Sequence, residues 1–151
     1  MKMQKTELTQ KLNKIKGVVP KKTTMPVLQG ILVQDGYLIA NNMEMTIKAK
    51  IESTEGESFI IPEKAFDLIN NLPDGEMEIS AADDNTIIIK ADKIKNKYQT
   101  MDPEQFPVTV TQKTENQLTI KANMLLESMR RVSYAISAQG NNPAMSSMCL
   151  Q

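Results

Sequence analysis

The sequence predicts an α+β protein in which two helices pack on antiparallel sheets. The main reason is that one order of elements, strand–helix–three strands, occurs twice, over residues 1–52 and again over residues 58–100. A second reason is turn chemistry, because Asp35-Gly36 favours a two-residue hairpin and hence antiparallel neighbours. The two units together predict one α+β domain.

A third observation is a longer repeat, in which residues 118–151 follow the pattern of residues 1–34 at an offset of 117. The apolar helix positions that correspond are Leu8 with Leu125, Leu12 with Met129, Ile15 with Val132, and Val19 with Ile136. This repeat predicts tandem domains, with a first domain over 1–116 and the incomplete start of a second over 117–151.

The first unit begins with a short predicted strand, Met1–Lys5, and Thr6 is predicted to cap the helix that follows. Apolar residues at three- and four-residue spacing give this helix its buried stripe: Leu8, Leu12, Ile15 and Val19. A basic loop then ends at Pro26. Three strands are predicted after the loop: Val27–Gln34, Tyr37–Asn41 and Met45–Ile51.

The second unit repeats this order. Strand Ser58–Ile61 leads into Pro62, which suits the first turn of a helix. The apolar face of that helix consists of Ala65, Phe66, Ile69 and Leu72. The residues Leu72–Gly75 end the helix. The predicted strands are Glu76–Ala81, Thr86–Lys90 and Lys93–Thr100, and 102–107 forms an irregular linker. Beyond it, Gln117–Lys121 is a predicted strand, Asn123 caps a helix to about Ala138, and Ala144–Leu150 is a strand.

Composition excludes several classes of protein. The chain has 151 residues, no net charge and one cysteine, so no internal disulfide forms and a reducing, cytoplasmic location is expected. No apolar run is long enough to span a membrane. The sequence has no histidine and no glycine-rich phosphate loop, and Asp83 and Asp84 occupy a predicted turn. Cys149 is expected to be an inert thiol in a buried strand. We therefore expect neither an enzyme nor a cofactor or metal site.

Basic residues provide the best candidate site, because residues 1–22 contain seven lysines and one acid, Glu7. Four of these lysines follow one helix flank and the next loop: Lys11, Lys14, Lys21 and Lys22. Such a group can contact DNA phosphates without reading sequence. In the longer repeat, Arg131 and Gln139 occupy comparable positions. A solvent-exposed lysine surface without a partner is the alternative interpretation.

Five short motifs occur in a fixed order along the chain: Pro26–Leu32, Asn42–Met45, Ile61–Leu68, Leu72–Gly75 and Met101–Pro107. In their order and spacing, the sequence resembles the bacterial DNA polymerase III β subunit family, the sliding clamps, over its whole length. The resemblance implies a DNA clamp fold, in which helices line a ring that encircles duplex DNA and sheets form the outside.

The resemblance also assigns residues and partners. Lys22 matches a basic loop residue that contacts DNA, Gln139 matches a DNA-contacting glutamine, and Asn70 stands where some members have arginine. The implied partners are the double-stranded DNA backbone, the replicative DNA polymerase, the clamp loader and further clamp domains through head-to-tail self-association.

The resemblance further implies three domains, with the polymerase-peptide pocket between the second and third. The sequence contains neither that pocket nor a third domain. The expected function is therefore that of a processivity clamp, itself non-catalytic, in a truncated or fragmentary copy. The alternative is a clamp-like protein-interaction module that cannot form a ring and that docks through the predicted helix at 124–137.

Overall fold

The computed structural model describes residues 1–52, 58–82, 85–107, 119–137 and 143–149. It contains two compact units, Met1–Val110 and Thr111–Gln151. The predicted boundary between residues 116 and 117 lies outside the described residues and stays a prediction. Each unit is described by itself below.

The described part of the first unit has the predicted order of elements, strand–helix–three strands, twice. The first set is β1 (Lys2–Gln4), α1 (Lys5–Ile15), β2 (Gly30–Gln34), β3 (Tyr37–Asn41) and β4 (Thr46–Lys50). The second set is β5 (Phe59–Pro62), α2 (Glu63–Asn71), β6 (Glu76–Ala82), β7 (Thr86–Ala91) and β8 (Ile94–Gln99). The predicted α+β class is confirmed.

Two four-stranded antiparallel sheets result, with strand orders β1-β6-β7-β8 and β4-β3-β2-β5. The first strand of each set pairs with a strand of the other set. Lys2 is opposite Glu78 in the β1–β6 pair, and Gly30 is opposite Pro62 in the β2–β5 pair. The two halves of the unit are therefore interlocked through an exchange of their leading strands.

One core lies between the inner faces of both sheets and the two helices. Its largest fully buried members are Leu8, Ile15, Ile31, Leu38, Phe59, Ile61, Ile69, Met77, Ile79 and Ile87. A second cluster covers the other face of the β4-β3-β2-β5 sheet and contains Val27, Leu28, Leu32, Ile39, Ile60 and Phe106. Strands β2, β3 and β5 of that sheet are thus buried on both sides, which explains why they are rich in apolar residues, whereas the edge strand β4 contains no fully buried residue.

Tight turns and one buried amide fix the connections. Asp35 and Gly36 both have positive φ, 50° and 75°, which confirms the predicted two-residue hairpin between β2 and β3. The Nδ2 of buried Asn41 donates a hydrogen bond to the carbonyl of Pro107 at 2.7 Å, and its Oδ1 accepts one from the Met43 amide at 2.6 Å. Asn41 therefore holds the segment after β8 against the end of β3.

Two predictions about the first set of elements are wrong. Thr6 does not cap α1, because the helix begins at Lys5, directly after β1, and its N-cap is Gln4, two residues before Thr6, without a side-chain hydrogen bond. The Lys5 amide bonds the carbonyl of Gly75 at 2.9 Å, so the end of the strand decides where the helix starts.

The predicted strand from Val27 begins only at Gly30, because Pro26–Gln29 forms a 3-10 turn in which the Leu28 amide bonds the Met25 carbonyl at 3.0 Å. The turn places Val27 and Leu28 in the second apolar cluster. The other predicted strands of this unit differ from the observed ones by at most one residue at either end, and Tyr37–Asn41 has the predicted bounds.

The second unit contains one α-helix among its described residues, α3 (Ala122–Val132), followed by a 3-10 turn at Ser133–Ala135. The prediction of Asn123 as the cap is wrong, because the helix starts at Ala122 after an N-cap at Lys121 that makes no side-chain hydrogen bond. The helix also ends earlier than the predicted Ala138.

The strands predicted in the second unit are not observed in its described part. Residues 119–121 are not in a strand, and the beginning of the predicted strand Ala144–Leu150 belongs to the 3-10 turn Pro143–Ser146. The Ser137 amide bonds the carbonyl of Met145 at 3.1 Å, which is a loop contact. A strand requires a hydrogen-bonded neighbour, and the described residues of this unit offer none.

Candidate nucleic-acid interface

The two helices of the first unit are neighbours on one side of the sheets, and both bury their apolar faces in the shared core. The burial of Leu8, Leu12 and Ile15 leaves the polar flank of α1 towards solvent. On α2, the burial of Ala65, Phe66 and Ile69 likewise leaves a polar flank outside. The unit therefore presents two adjacent polar helix flanks on one surface.

Three of the predicted lysines have exposed side chains near this surface: Lys14, Lys21 and Lys22. Within the described part of the chain, none of them has a carboxylate within 4.0 Å. The loop backbone is held in place, because Gln29 Nε2 donates to the Lys21 carbonyl at 3.2 Å and the Met25 amide donates to Thr23 Oγ1 at 3.0 Å. The loop thus presents uncompensated cations from a fixed backbone.

Lys11 differs from these three. Its Nζ lies 2.5 Å from Oε1 of Glu7, one helical turn earlier, and its side chain is only 24% exposed. The positive charge of Lys11 is therefore balanced within α1 itself. Sequence spacing alone does not separate Lys11 from the other lysines, because an ion pair at this spacing depends on the rotamers of both side chains.

A groove of about 330 Å³ runs between the segment after α1 and the flank of α2. One wall consists of Lys16, Gly17, Val19 and Lys21, and the other of Glu63, Phe66, Asp67 and Asn70. The structure thus brings Lys21 and Asn70 together, as two of the predicted site residues.

Lys16 is a site residue that the sequence analysis missed. Helical spacing continued to Gly17 would put Lys16 on the opposite flank from Lys11 and Lys14. The α-helix ends at Ile15 and is followed by a 3-10 turn at Lys16–Val18, and Lys16 lines the groove. The glycine was the signal available in the sequence, since it weakens a regular helix at this point.

The remaining predicted positions belong to the second unit. Arg131 is exposed on α3 and pairs with Glu127 at 2.6 Å, so its charge is partly balanced. Gln139 lies outside the described residues, as do Asp83 and Asp84 of the first unit. The expectation of a buried Cys149 is wrong, because the thiol is exposed where the predicted strand does not form.

The described residues bring together no group of three or more histidine, cysteine or acidic side chains able to ligate a metal. None of the described helices combines the length and the apolar character required to cross a bilayer.

The chain was compared with known proteins. Residues 1–111 match the family model of the DNA polymerase III beta subunit, N-terminal domain. A protein named beta sliding clamp from Chlamydia muridarum is 24% identical over 153 aligned residues, which cover 97% of this chain and 42% of the relative. A second one, from Halalkalibacterium halodurans, is 22% identical and covers 90% of this chain and 40% of the relative.

Solved structures agree on the fold. The DNA polymerase III beta chain of Streptococcus pneumoniae matches with a TM-score of 0.85 at 20% identity, over 94% of this chain and 41% of that structure. The DNA polymerase sliding clamp of Bacillus subtilis matches with the same TM-score, identity and coverage. The chain therefore spans about two fifths of the length of these relatives. Since the family model covers most of its residues, the chain belongs to the DNA polymerase III beta subunit family, the sliding clamps.

Proposed function

We propose that this chain supplies the DNA-facing surface of a sliding clamp, the processivity factor that keeps a replicative polymerase on duplex DNA. The observation that carries the proposal is the set of exposed lysines on α1 and its following loop, Lys14, Lys21 and Lys22, of which Lys21 lines the groove together with Asn70. Cations on a helix flank and its following loop contact phosphates without reading bases, and such contacts allow a protein to move along DNA.

The role proposed for this surface is non-catalytic binding. Its groups are ammonium, carboxylate and amide groups, and the carboxylates of Glu63 and Asp67 share the groove with Lys16 and Lys21. The proposed partners are the double-stranded DNA backbone, the replicative polymerase, the clamp loader and further clamp domains, in the cytoplasm. The relatives are named beta sliding clamps, which supports the same assignment.

The test is the salt dependence of duplex binding by the 151-residue chain. A fluorescently labelled duplex of arbitrary sequence is titrated between about 50 and 200 mM salt, where phosphate contacts dominate affinity. Replacement of Lys14, Lys21 and Lys22 together by glutamate is expected to lower the slope of log K against log salt by about 2.7, or about 0.9 for each contact.

A matched control carries the same change of charge elsewhere on the unit. Lys93, Lys95 and Lys97 lie in and before β8, on a different element from α1 and its following loop, and are replaced by glutamate in the control variant. The proposal requires the control to bind duplex DNA more tightly than the variant at Lys14, Lys21 and Lys22, with a steeper slope. If both triple variants weaken binding equally, the attraction comes from overall charge and the assignment of this surface is wrong.

A second function, a protein-interaction module, rests on α3. Met129 and Val132 on this helix are 42% and 50% exposed, and Met124 and Leu126 are each at least half exposed. Apolar side chains in such number on one short helix are typical of a contact surface. Light scattering of the purified chain distinguishes the two cases, because a monomer at all concentrations argues against self-association through α3.

A further inference from the structure

The groove in the first unit has walls of opposite charge. The wall after α1 carries Lys16 and Lys21, and the α2 wall carries Glu63 and Asp67, which are one helical turn apart on the same face. All four side chains are exposed. Among the described residues, neither lysine lies within 4.0 Å of either carboxylate. The four charged groups therefore line the same groove without forming ion pairs with one another.

We propose that Asp67, together with Glu63, limits how tightly the groove holds a DNA phosphate. The inference rests on the proposed function and concerns the same surface. Both walls line one groove of about 330 Å³, and at physiological salt charges are screened only over a length of about 8 Å. A phosphate attracted to the lysine wall is therefore still repelled by the carboxylate wall.

The consequence concerns the lifetime of each contact. A groove with lysines alone would hold a phosphate until a counterion replaced it, and every step along the duplex would require that exchange. Carboxylates across the groove lower the affinity without removing the attraction that brings DNA to the surface. Asp67 and Glu63 would thus favour rapid exchange of one phosphate for the next.

The experiment compares Asp67→Asn with Asp92→Asn in the full chain. Both variants remove one negative charge, and Asp92 lies in the turn between β7 and β8, outside the groove, at a φ of 50° that asparagine accepts. With the same labelled duplex, Asp67→Asn is expected to bind about two to five times more tightly than Asp92→Asn at low salt, the size of one exposed charge–charge interaction. The difference should shrink as salt rises.

Gly17→Lys gives an independent variant on the opposite wall. A Cβ at Gly17 would have no atom within 4 Å, so a side chain fits, and Gly17→Ala is its control. If Gly17→Lys tightens binding and Asp67→Asn does not differ from Asp92→Asn, phosphates contact the lysine wall but the acidic wall has no influence, which overturns the inference. If the lysine triple variant of the preceding section has no effect either, the proposed function fails as well.

A loss of folding would obscure the comparison, so thermal unfolding of each variant is recorded by circular dichroism. The Asp67 side chain is exposed and makes no hydrogen bond among the described residues, while its backbone carbonyl accepts one from Asn71 Nδ2 at 2.8 Å. We therefore expect Asp67→Asn to unfold at the same temperature as the parent. Tighter binding with unchanged unfolding supports the inference, and unchanged binding with unchanged unfolding contradicts it.

Discussion

Lys11 and Lys22 carry the same charge in the same basic segment, yet the structure predicts different contributions to DNA binding. Lys11 Nζ lies 2.5 Å from the carboxylate of Glu7, whereas Lys22 is exposed and has no carboxylate within 4.0 Å among the described residues. The perturbation is a pair of single substitutions, Lys11→Gln and Lys22→Gln. Each removes one positive charge, and the main difference between them is the ion pair.

The expected sizes follow from this pairing. Lys22→Gln removes one phosphate contact and should reduce the slope of log K against log salt by about 0.9. The ratio of parent affinity to variant affinity should therefore fall about 3.5-fold between 50 and 200 mM salt. Lys11→Gln should leave the slope nearly unchanged, because Glu7 already neutralises this lysine. It should instead cost about 0.3–0.5 kcal/mol of folding free energy, the contribution of an exposed i,i+4 pair.

The assay is fluorescence anisotropy of a labelled duplex, together with urea unfolding of each variant. A third variant, Glu7→Gln, sharpens the comparison because it releases Lys11 and should increase the slope towards one further contact. Equal losses of slope for Lys11→Gln and Lys22→Gln would refute the reasoning. In that case total charge, and not the availability of each lysine, would control binding.

Other substitutions test the packing that supports this surface. Gly30→Ala should destabilise the unit by about 1–3 kcal/mol in urea unfolding. The reason is that the new Cβ would lie 2.4 Å from a side-chain carbon and 2.9 Å from a backbone oxygen of β5. The control is Gly17→Ala, which has open space around it and should change the free energy of unfolding little. Asn41→Ala should cost about 1–3 kcal/mol in the same assay, because the carbonyl of Pro107 loses its 2.7 Å hydrogen bond. Phe106→Ala should cost about 3–5 kcal/mol of folding free energy, because Phe106 is a buried member of the second apolar cluster. If the variant is as stable as the parent, this cluster does not contribute to the stability of the unit.

Local signals were sufficient for most elements of the first unit. The stripe of Leu8, Leu12 and Ile15 and the turn at Asp35-Gly36 depend on residues close in sequence, and the structure has both where they were predicted. The pairing of β1 with β6 could not be predicted in this way, because the sequence of a three-residue strand does not determine which strand, more than 70 residues later in the chain, pairs with it.

The helix starts show a related limit. Thr6 and Asn123 are both residues that favour N-caps, yet both lie inside their helices, which begin at Lys5 and Ala122. In α1 the preceding strand fixes the start through the Lys5 amide, and this outweighs a capping preference of about 1 kcal/mol.

The same limit explains why only part of the candidate site could be predicted from the sequence. The lysine-rich segment is visible in composition, and the groove is not, because it requires α2 to lie beside the end of α1. The separation of Lys11 from the other lysines and the inclusion of Lys16 both depend on side-chain directions that spacing alone does not determine.

The exchange of leading strands also has a consequence for how this chain is made. A ribosome releases β1 and α1 first, but β1 has no hydrogen-bonded neighbour until Glu78 and the rest of β6 have been synthesised. Until then the apolar stripe of α1 has only part of its core to pack against. The nascent chain must therefore carry an unpaired strand and a partly uncovered helix through most of the translation of the unit, and its folding is completed almost at the end.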